Sequence, residues 1–274
     1  MALSVRAVDR ALDILLCFNS DDMALTMSQI AERAGIHKST VHRLLATLEA
    51  KRFLHRDPGN GLYRLGFQLV ELASLALMDM DLPRCAGPHL QRLAADSGET
   101  VDLATLDGEH VVYLQVIESP QRLKIAAAVG QRLPAYCTAT GKAILAFLPS
   151  AEVERIIAHG MPRQTDRTKV SPADLWRDLA ATRERGFALS EQEFEPEINA
   201  VAAPVLDRSG NPIGSIAIVG PSFRMPAGRM LTLGRQAVEA AQAVSHEVGL
   251  ATLAKLAPGP NGAGNSTSQR KGTA

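Results

Sequence analysis

Cysteine is scarce in this 274-residue chain: Cys17, Cys85 and Cys137 lie far apart and form no CxxC pair. That excludes a disulfide framework and fits a reducing cytosol, so a cytoplasmic location is expected. Aromatic residues make up only 4%, too few for a platform that stacks single strands or RNA bases. Net charge is also lacking, since 29 basic and 29 acidic residues cancel. Any nucleic-acid footprint must therefore be local. No apolar run approaches the roughly 20 residues of a membrane span. The best candidate, Leu69 to Met78, is short and holds Glu71. Arg6, Asp9, Arg10 and Asp13 break up the N-terminal apolar positions, which excludes a signal peptide. His89, His110, His159 and His246 show no metal-ligand spacing, and neither a metal nor a cofactor is expected.

What is present is a 46% hydrophobic chain whose periodicity changes near residue 82. Val5, Val8, Leu12, Leu15 and Leu16 predict a helix within 4–19, with Ser4 as its N-cap. A second helix is expected from Met27 to Ala34, opened by Thr26 with Gln29 three residues on and stopped by Gly35. A third runs from Lys38 to Lys51, with Val41, Leu44, Leu45 and Leu48 facing inward. Two short strands around Asp57-Pro58-Gly59-Asn60-Gly61 predict a hairpin. A helix over 67–80 follows, apolar on most sides, which suits either a buried helix or a linker packed on a partner chain.

From Leu82 onward helices are expected at 82–97, 138–148, 151–158, 172–185 and 225–248. Strands are expected at 100–106, 110–116, 187–190, 198–206 and 212–219. The segment after Pro258 is rich in Gly, Ser, Asn and Pro and reads as a disordered tail. The organisation expected is thus a small domain of three helices and a hairpin over 1–66, a linker helix over 67–81, an α/β domain over 82–252 and a tail over 253–274.

The segment from Ser28 to Leu45 has the order a helix-turn-helix needs. Small Ala31 lets two helices approach, Gly35 makes the turn, and Ile36 and Val41 fill the angle. Lys38, Ser39, Thr40, His42 and Arg43 remain outward on the second helix, which is the right size for a major groove. Between Arg33 and Arg64 seven basic residues face two acidic ones, a local charge of +5 in a neutral chain. Such a run alone would be a solvated face; with the turn and the hairpin it predicts double-stranded DNA as partner. Phosphate contacts are assigned to Arg52, Arg56 and Arg64, with Asn60 at the wing tip. Base or mixed contacts are assigned to Ser39, Thr40, His42 and Arg43.

These motifs resemble the IclR family of bacterial transcription regulators. The resemblance is carried by Arg10 to Leu15, Ile30 to Gly35, Lys38 to Leu45 and Tyr63 to Gly66 in the head. Further on it is carried by Glu99-Thr100-Val101, Val111-Val112-Tyr113, Glu118-Ser119-Pro120, Thr138 to Ala143, Ala202 to Val205 and Val219-Gly220-Pro221. It implies an α+β chain: an N-terminal winged helix-turn-helix, a linker helix and a C-terminal GAF-like α/β domain that binds a small effector. It also implies a homodimer or homotetramer that represses or activates genes beside its own.

By that resemblance the effector would sit at Ala139, Thr140 and Gly141, just after Tyr136, where helix amides attract carboxylates. Simple capping by Thr138 explains the same residues equally well. A Walker-type loop is excluded, because position 136 is Tyr136 and position 143 is Ala143. Ser190, Glu191, Asn199, Ala200, Ala217 and Val219 match further effector positions of the family. Ala and Val there make the pocket roomier and drier, which favours a bulky, aromatic carboxylate over a two-carbon acid. Glu191, Glu193, Glu195 and Glu197 alternate, as a solvated edge would, unless one of them meets an effector hydroxyl. Cys137 has no basic neighbour in sequence and reads as inert, not as a redox sensor. Two competing functions stand beside an effector-controlled regulator of a catabolic operon. One is an enzyme domain over 82–250 tethered to the head, which lacks a recognisable catalytic constellation. The other is a ligand-free architectural DNA binder.

Overall fold

The computed structural model describes residues 4–19, 22–78 and 80–256, and the chain divides into two units between residues 79 and 80. The first unit opens with α1 (Arg6–Leu15), capped at Val5 and not at Ser4, whose hydroxyl turns to Asp9. Its core face carries Ile14, with Ala11, Leu15 and Phe18 packed beside it. Val5, Val8, Leu12 and Leu16 form the opposite stripe and stay exposed, Leu16 at 81%. Helix α2 (Met27–Ala34) starts in a complete capping box: Thr26 accepts from the Gln29 amide, and Gln29 accepts from the Thr26 amide. It ends at Gly35 in the left-handed region, φ 63°, where a side chain would be strained.

Helix α3 (Lys38–Ala50) follows after the three-residue turn Gly35-Ile36-His37. Ile30, Ile36, Val41 and Leu45 fill the corner between α2 and α3, and Leu44 is only half-buried. Strands β1 (Leu54–Arg56) and β2 (Tyr63–Leu65) pair antiparallel, and Leu25 bridges to Tyr63 on the far side. Helix α4 (Phe67–Met78) belongs to this first unit. Phe67, Val70, Leu72 and Leu75 on it are exposed, Phe67 at 76%.

The second unit is built on one six-stranded antiparallel sheet. In chain order it contains α5 (Asp81–Ser97), β3 (Thr100–Asp107), β4 (His110–Ile117) and β5 (Arg132–Pro134). After a 3-10 turn at Ala135–Cys137 come α6 (Ala139–Leu145), α7 (Ser150–Ala158), α8 (Pro172–Arg185) and β6 (Ala188–Glu191). The hairpin of β7 (Ile198–Leu206) and β8 (Pro212–Pro221) precedes α9 (Ala227–Leu256). Spatial order is β5-β4-β3-β8-β7-β6, so the first hairpin and the last are joined by β3 and β8 at the centre. Helices α5 and α9 pack on each other and on the sheet, while α6 packs on the face bearing Ala188, Ala202 and Ala217. With both faces covered, the first five positions of β3 and the last eight of β8 are buried in unbroken runs, which removes the alternation that would have marked their polar residues.

Several boundaries differ from the sequence expectation. Strand β5 is too short, three residues, to leave a periodic signal. Helix α6 stops at Leu145, three residues early, and α9 continues to Leu256, eight residues past Val248. The expected tail thus begins inside a helix, and the rest of it, 257–274, lies outside the described residues. Glu99 shows why the ends of the sheet hold together. Fully buried, it accepts from Arg224 at 2.6 and 2.9 Å and from Arg229 at 3.1 Å, joining the start of β3 to the start of α9. An Arg–carboxylate fork of this kind fixes geometry as well as charge.

Candidate functional site

The reading head is shaped by packing that leaves one face of α3 bare. Val41, Leu45 and Leu48 point into the core, so Lys38, Ser39, His42 and Arg43 are exposed and Thr40 half-exposed on the remaining face. His37 is the N-cap: its Nδ1 accepts from the Ser39 amide at 3.4 Å and stands 2.9 Å from the Ser39 hydroxyl. Ser39 is therefore part of the cap and has a partner of its own. Arg6 and Arg10 of α1 share a groove with Thr40, His42 and Arg43, which puts two more cations beside the reading face. Finding them needed the α1–α3 packing, not the motif.

On the wing, Arg56 lies 5.6 Å above the Tyr63 ring and Arg64 stands opposite His55 across the hairpin, both exposed. Asp57 accepts from the Gly59 amide at 2.8 Å, and that bond holds its carboxyl below the usual carboxylate range. Asn60 folds its side-chain oxygen onto the Leu62 amide at 3.0 Å, shaping the wing tip. Arg52 is the exception among the assigned phosphate contacts. It sits in the left-handed region, φ 62°, pairs with Glu71 of α4 at 3.1 Å, and its carbonyl accepts from Gln68. A side chain at Gly66 would collide with the Arg52 carbonyl. Arg52 fastens α4 to the head, a role invisible in a charge count.

The second unit holds a cavity of about 60 Å³ beneath α6. At roughly 10–15 Å³ per water by the same measure, that is room for several waters or a small organic molecule. Its walls come from β3, β4, α6, the 125–127 segment and the loop after β6. Of the ten effector positions expected from sequence, Ala139, Thr140, Ser190, Ala200 and Val219 line it. Strand register explains the last three: Ser190, Ala200 and Val219 are paired in one row across β6, β7 and β8. The next row on that face is Ala188, Ala202, Ala217 and Asp102.

The other five expected residues stand elsewhere. Ala217 packs under α6 with Ala139, Ala143, Ala188 and Ala202, where small side chains let helix and sheet touch. Gly141 is pressed against the Ala135 backbone, and its amide donates to Thr138 Oγ1 at 3.1 Å. Capping, not ligand, occupies that amide, and at seven residues α6 is a short helix. Tyr136 donates to the Pro162 carbonyl and accepts from Gln164 at 3.2 Å. Asn199 donates to the Met225 carbonyl at 3.0 Å, and Glu191 is exposed.

Residues the motifs missed are more informative. Asp102 is 1% exposed and lines the cavity; Thr140 Oγ1 donates to its Oδ1 at 3.4 Å, and Oδ2 has no partner among the described residues. Burial pushes this carboxyl up to about 8. Beside it the Tyr113 phenol is raised by burial and then by Asp102. Phe194, Ile125, Leu133 and Ile198 supply apolar wall, and Glu195 is the second acidic lining residue. No Lys or Arg among the described residues lines the cavity.

The alternating glutamates do not form one solvated edge. Glu193 is buried and accepts from Lys142 at 2.7 Å and Lys169 at 3.2 Å. Asp178 takes both lysines as well, at 2.5 and 2.6 Å. Lys142 is completely buried, so this four-charge cluster ties α6, α8 and the loop after β6 together next to the cavity. Cys137 is buried and its thiol is pushed up to about 12, an inert sulfur. The described residues contain no group of His, Cys, Asp and Glu able to hold a metal ion, and no helix long and apolar enough to cross a membrane.

A winged reading head followed by an antiparallel α/β unit with an apolar cavity defines a ligand-binding transcription regulator, and the comparisons give its family. The model of the IclR helix-turn-helix domain matches residues 7–58, and that of the bacterial transcriptional regulator IclR C-terminal domain matches 74–246. The HTH-type transcriptional regulator XynR of Escherichia coli K12 is 32% identical over 246 residues, covering 89% of this chain and 98% of the relative. The acetate operon repressor of Salmonella typhimurium LT2 is 30% identical over 244 residues, 88% of this chain and 89% of the relative. An IclR homologue from Microbacterium hydrocarbonoxydans, solved with 4-hydroxybenzoate, superposes with a TM-score of 0.80 at 27% identity, covering 88% of this chain and 98% of that one. The chain belongs to the IclR family of bacterial transcriptional regulators. It carries that family's DNA-binding helix-turn-helix and C-terminal effector-binding domain, and the relatives are regulators, not enzymes.

Proposed function

We propose that this protein is a cytoplasmic homodimer, or dimer of dimers, that controls a catabolic operon in response to a small organic effector. The observation that carries the reading is a mostly apolar cavity in a chain whose other unit bares Lys38, Thr40, His42 and Arg43 on one helix face. A single head buries little surface, and a two-fold pair reading half-sites about one turn apart supplies the rest. Phe67, Val70 and Leu75 on α4 provide an apolar face for the second copy. The expected phosphate contacts are Arg56 and Arg64 with Asn60 at the wing tip; Arg6 and Arg10 join them, and Arg52 acts through α4.

The effector has an aromatic-sized body. Phe194, Tyr113, Leu133, Ile125 and the alanines favour one. A relative crystallised with 4-hydroxybenzoate supports the same class. A carboxylate on it gains no support from charge, since the walls offer two carboxyls and no cation. Effector binding shifts the heads between two arrangements, by at most its differential affinity for them, typically about 1–3 kcal/mol. Anisotropy titration of a selected operator duplex tests the reading. Arg43→Ala should weaken specific binding by about 1–3 kcal/mol and relax preference at one base pair. Equal affinity of wild type and variant for both operator and random duplex would overturn it.

A further inference from the structure

An acid buried at the wall of an apolar cavity with one oxygen unpaired is costly. An unsatisfied buried polar atom costs about 1–3 kcal/mol, more if it is charged. Asp102 carries that cost within the wall of the cavity: Thr140 serves Oδ1, and nothing among the described residues serves the buried Oδ2. The groups facing it are few. β4 contributes the Tyr113 phenol, the loop after β6 contributes Glu195, and α6 and β8 contribute Thr140 and Ala217, which do not titrate. Lys142, the basic residue of α6, is turned away into Asp178 and Glu193.

We infer that Asp102 recognises a hydroxyl group on the effector, so that the natural ligand is a hydroxylated aromatic-sized compound held hydroxyl-inward against Asp102 Oδ2. This rests on the reading of the cavity as the effector site. The choice of hydroxyl over other groups follows from proton bookkeeping. With its carboxyl pushed up to about 8 by burial, Asp102 is mostly neutral near pH 7 and ionises above it. A hydroxyl both donates and accepts, so it partners Oδ2 in either state. A ligand carboxylate could partner only the protonated acid, and its affinity would fall as pH rises through 8. An ammonium would be held far better by the ionised acid, and its affinity would rise over the same range. The hydroxyl also leaves no uncompensated charge inside a cavity that has no cation of its own.

Calorimetry on the full chain with phenol, benzoate and 4-hydroxybenzoate tests this. Phenol should bind, and 4-hydroxybenzoate should bind at least about tenfold tighter than benzoate, a typical return for one satisfied buried polar group. That preference should survive in Asp102→Asn, which can still donate and accept, and vanish in Asp102→Ala. The 4-hydroxybenzoate affinity should change less than about threefold between pH 6 and pH 8.5, below the phenol range near 10. A preference that persists in Asp102→Ala overturns the proposal, as does an affinity that falls about tenfold between pH 7 and pH 9, the mark of a carboxylate against a protonated acid. Ala200→Phe fills the cavity and separates the two levels. If the probes bind wild type without hydroxyl preference and Ala200→Phe abolishes binding, the cavity reading stands and the Asp102 assignment falls. If no probe binds, or Ala200→Phe binds as wild type does, both fall.

Discussion

Gly141 and Arg52 are two residues whose neighbours decide their identity. A side chain at 141 would collide with the Ala135 backbone where the 3-10 turn passes under α6. Gly141→Ala should therefore lower the thermal midpoint of the second unit, by the roughly 1–3 kcal/mol typical of overpacking. A calorimetric scan unchanged from wild type would mean that the turn yields freely. Arg52 holds a left-handed backbone that a glycine would adopt without strain. Arginine there makes the ion pair to Glu71, which glycine would lose.

Between elements, the Lys142–Asp178–Glu193–Lys169 cluster has the largest local consequence. Removing one member of a buried ionic set strands the others, at a cost of about 3–5 kcal/mol. Lys142→Met should destabilise the second unit by that order in urea, because Glu193 would keep only Lys169, and Asp178 only Lys169 and the more distant Arg185. The same cluster predicts an acid response. Burial pushes the Asp178 carboxyl up, but Lys142 and Lys169 outweigh it and hold it below the ordinary 3.8. A depressed carboxylate contributes its stability fully above that value and loses it as pH falls through the folded-state value. Asp178→Asn should start from a lower stability and lose less of it on acidification below about pH 4, read from urea midpoints at each pH. In the head, α2 is legible end to end: Thr26, Gln29 and Gly35 each do locally what their residue types do. The stripe of α1 is not, because Val5, Val8, Leu12 and Leu16 have helical spacing yet face away from the core that Ile14 enters. Periodicity finds an apolar face without saying what covers it.

For the whole molecule the prediction concerns association. With Phe67, Val70 and Leu75 as the contact, Val70→Glu combined with Leu75→Glu should sediment as a smaller species and lose operator affinity while keeping its fold. A double variant with wild-type mass would place the dimer elsewhere. The organisation into a reading head and a separate α/β unit was legible from the turn at Gly35 and the change in pattern near residue 82. Half the expected effector residues reached the cavity, because strand alternation puts Ser190, Ala200 and Val219 on the correct face. Tyr136, Gly141, Asn199 and Ala217 are partnered by backbone or by α6, which depends on contacts between distant segments. Asp102 was hidden for the same reason. In a strand buried on both faces a lone acid has no pattern to break, and only the β3–β8 register places it in the row of Ala217.

That row gives the domain a use beyond its native ligand. Ala188, Ala202, Ala217 and Asp102 run side by side across four strands, with Ser190, Ala200 and Val219 in the row above. The upper row borders empty space, so larger or polar groups at Ala200 and Val219 would reshape the cavity while leaving the backbone ladder intact. The lower row touches α6, where the same change would jam the helix. A library at Val219 and Ala200 therefore changes ligand choice at less cost to folding than one in the lower row, with Ala200 the costlier site because it also packs against the α6 alanines; that is the property a transcriptional biosensor scaffold requires.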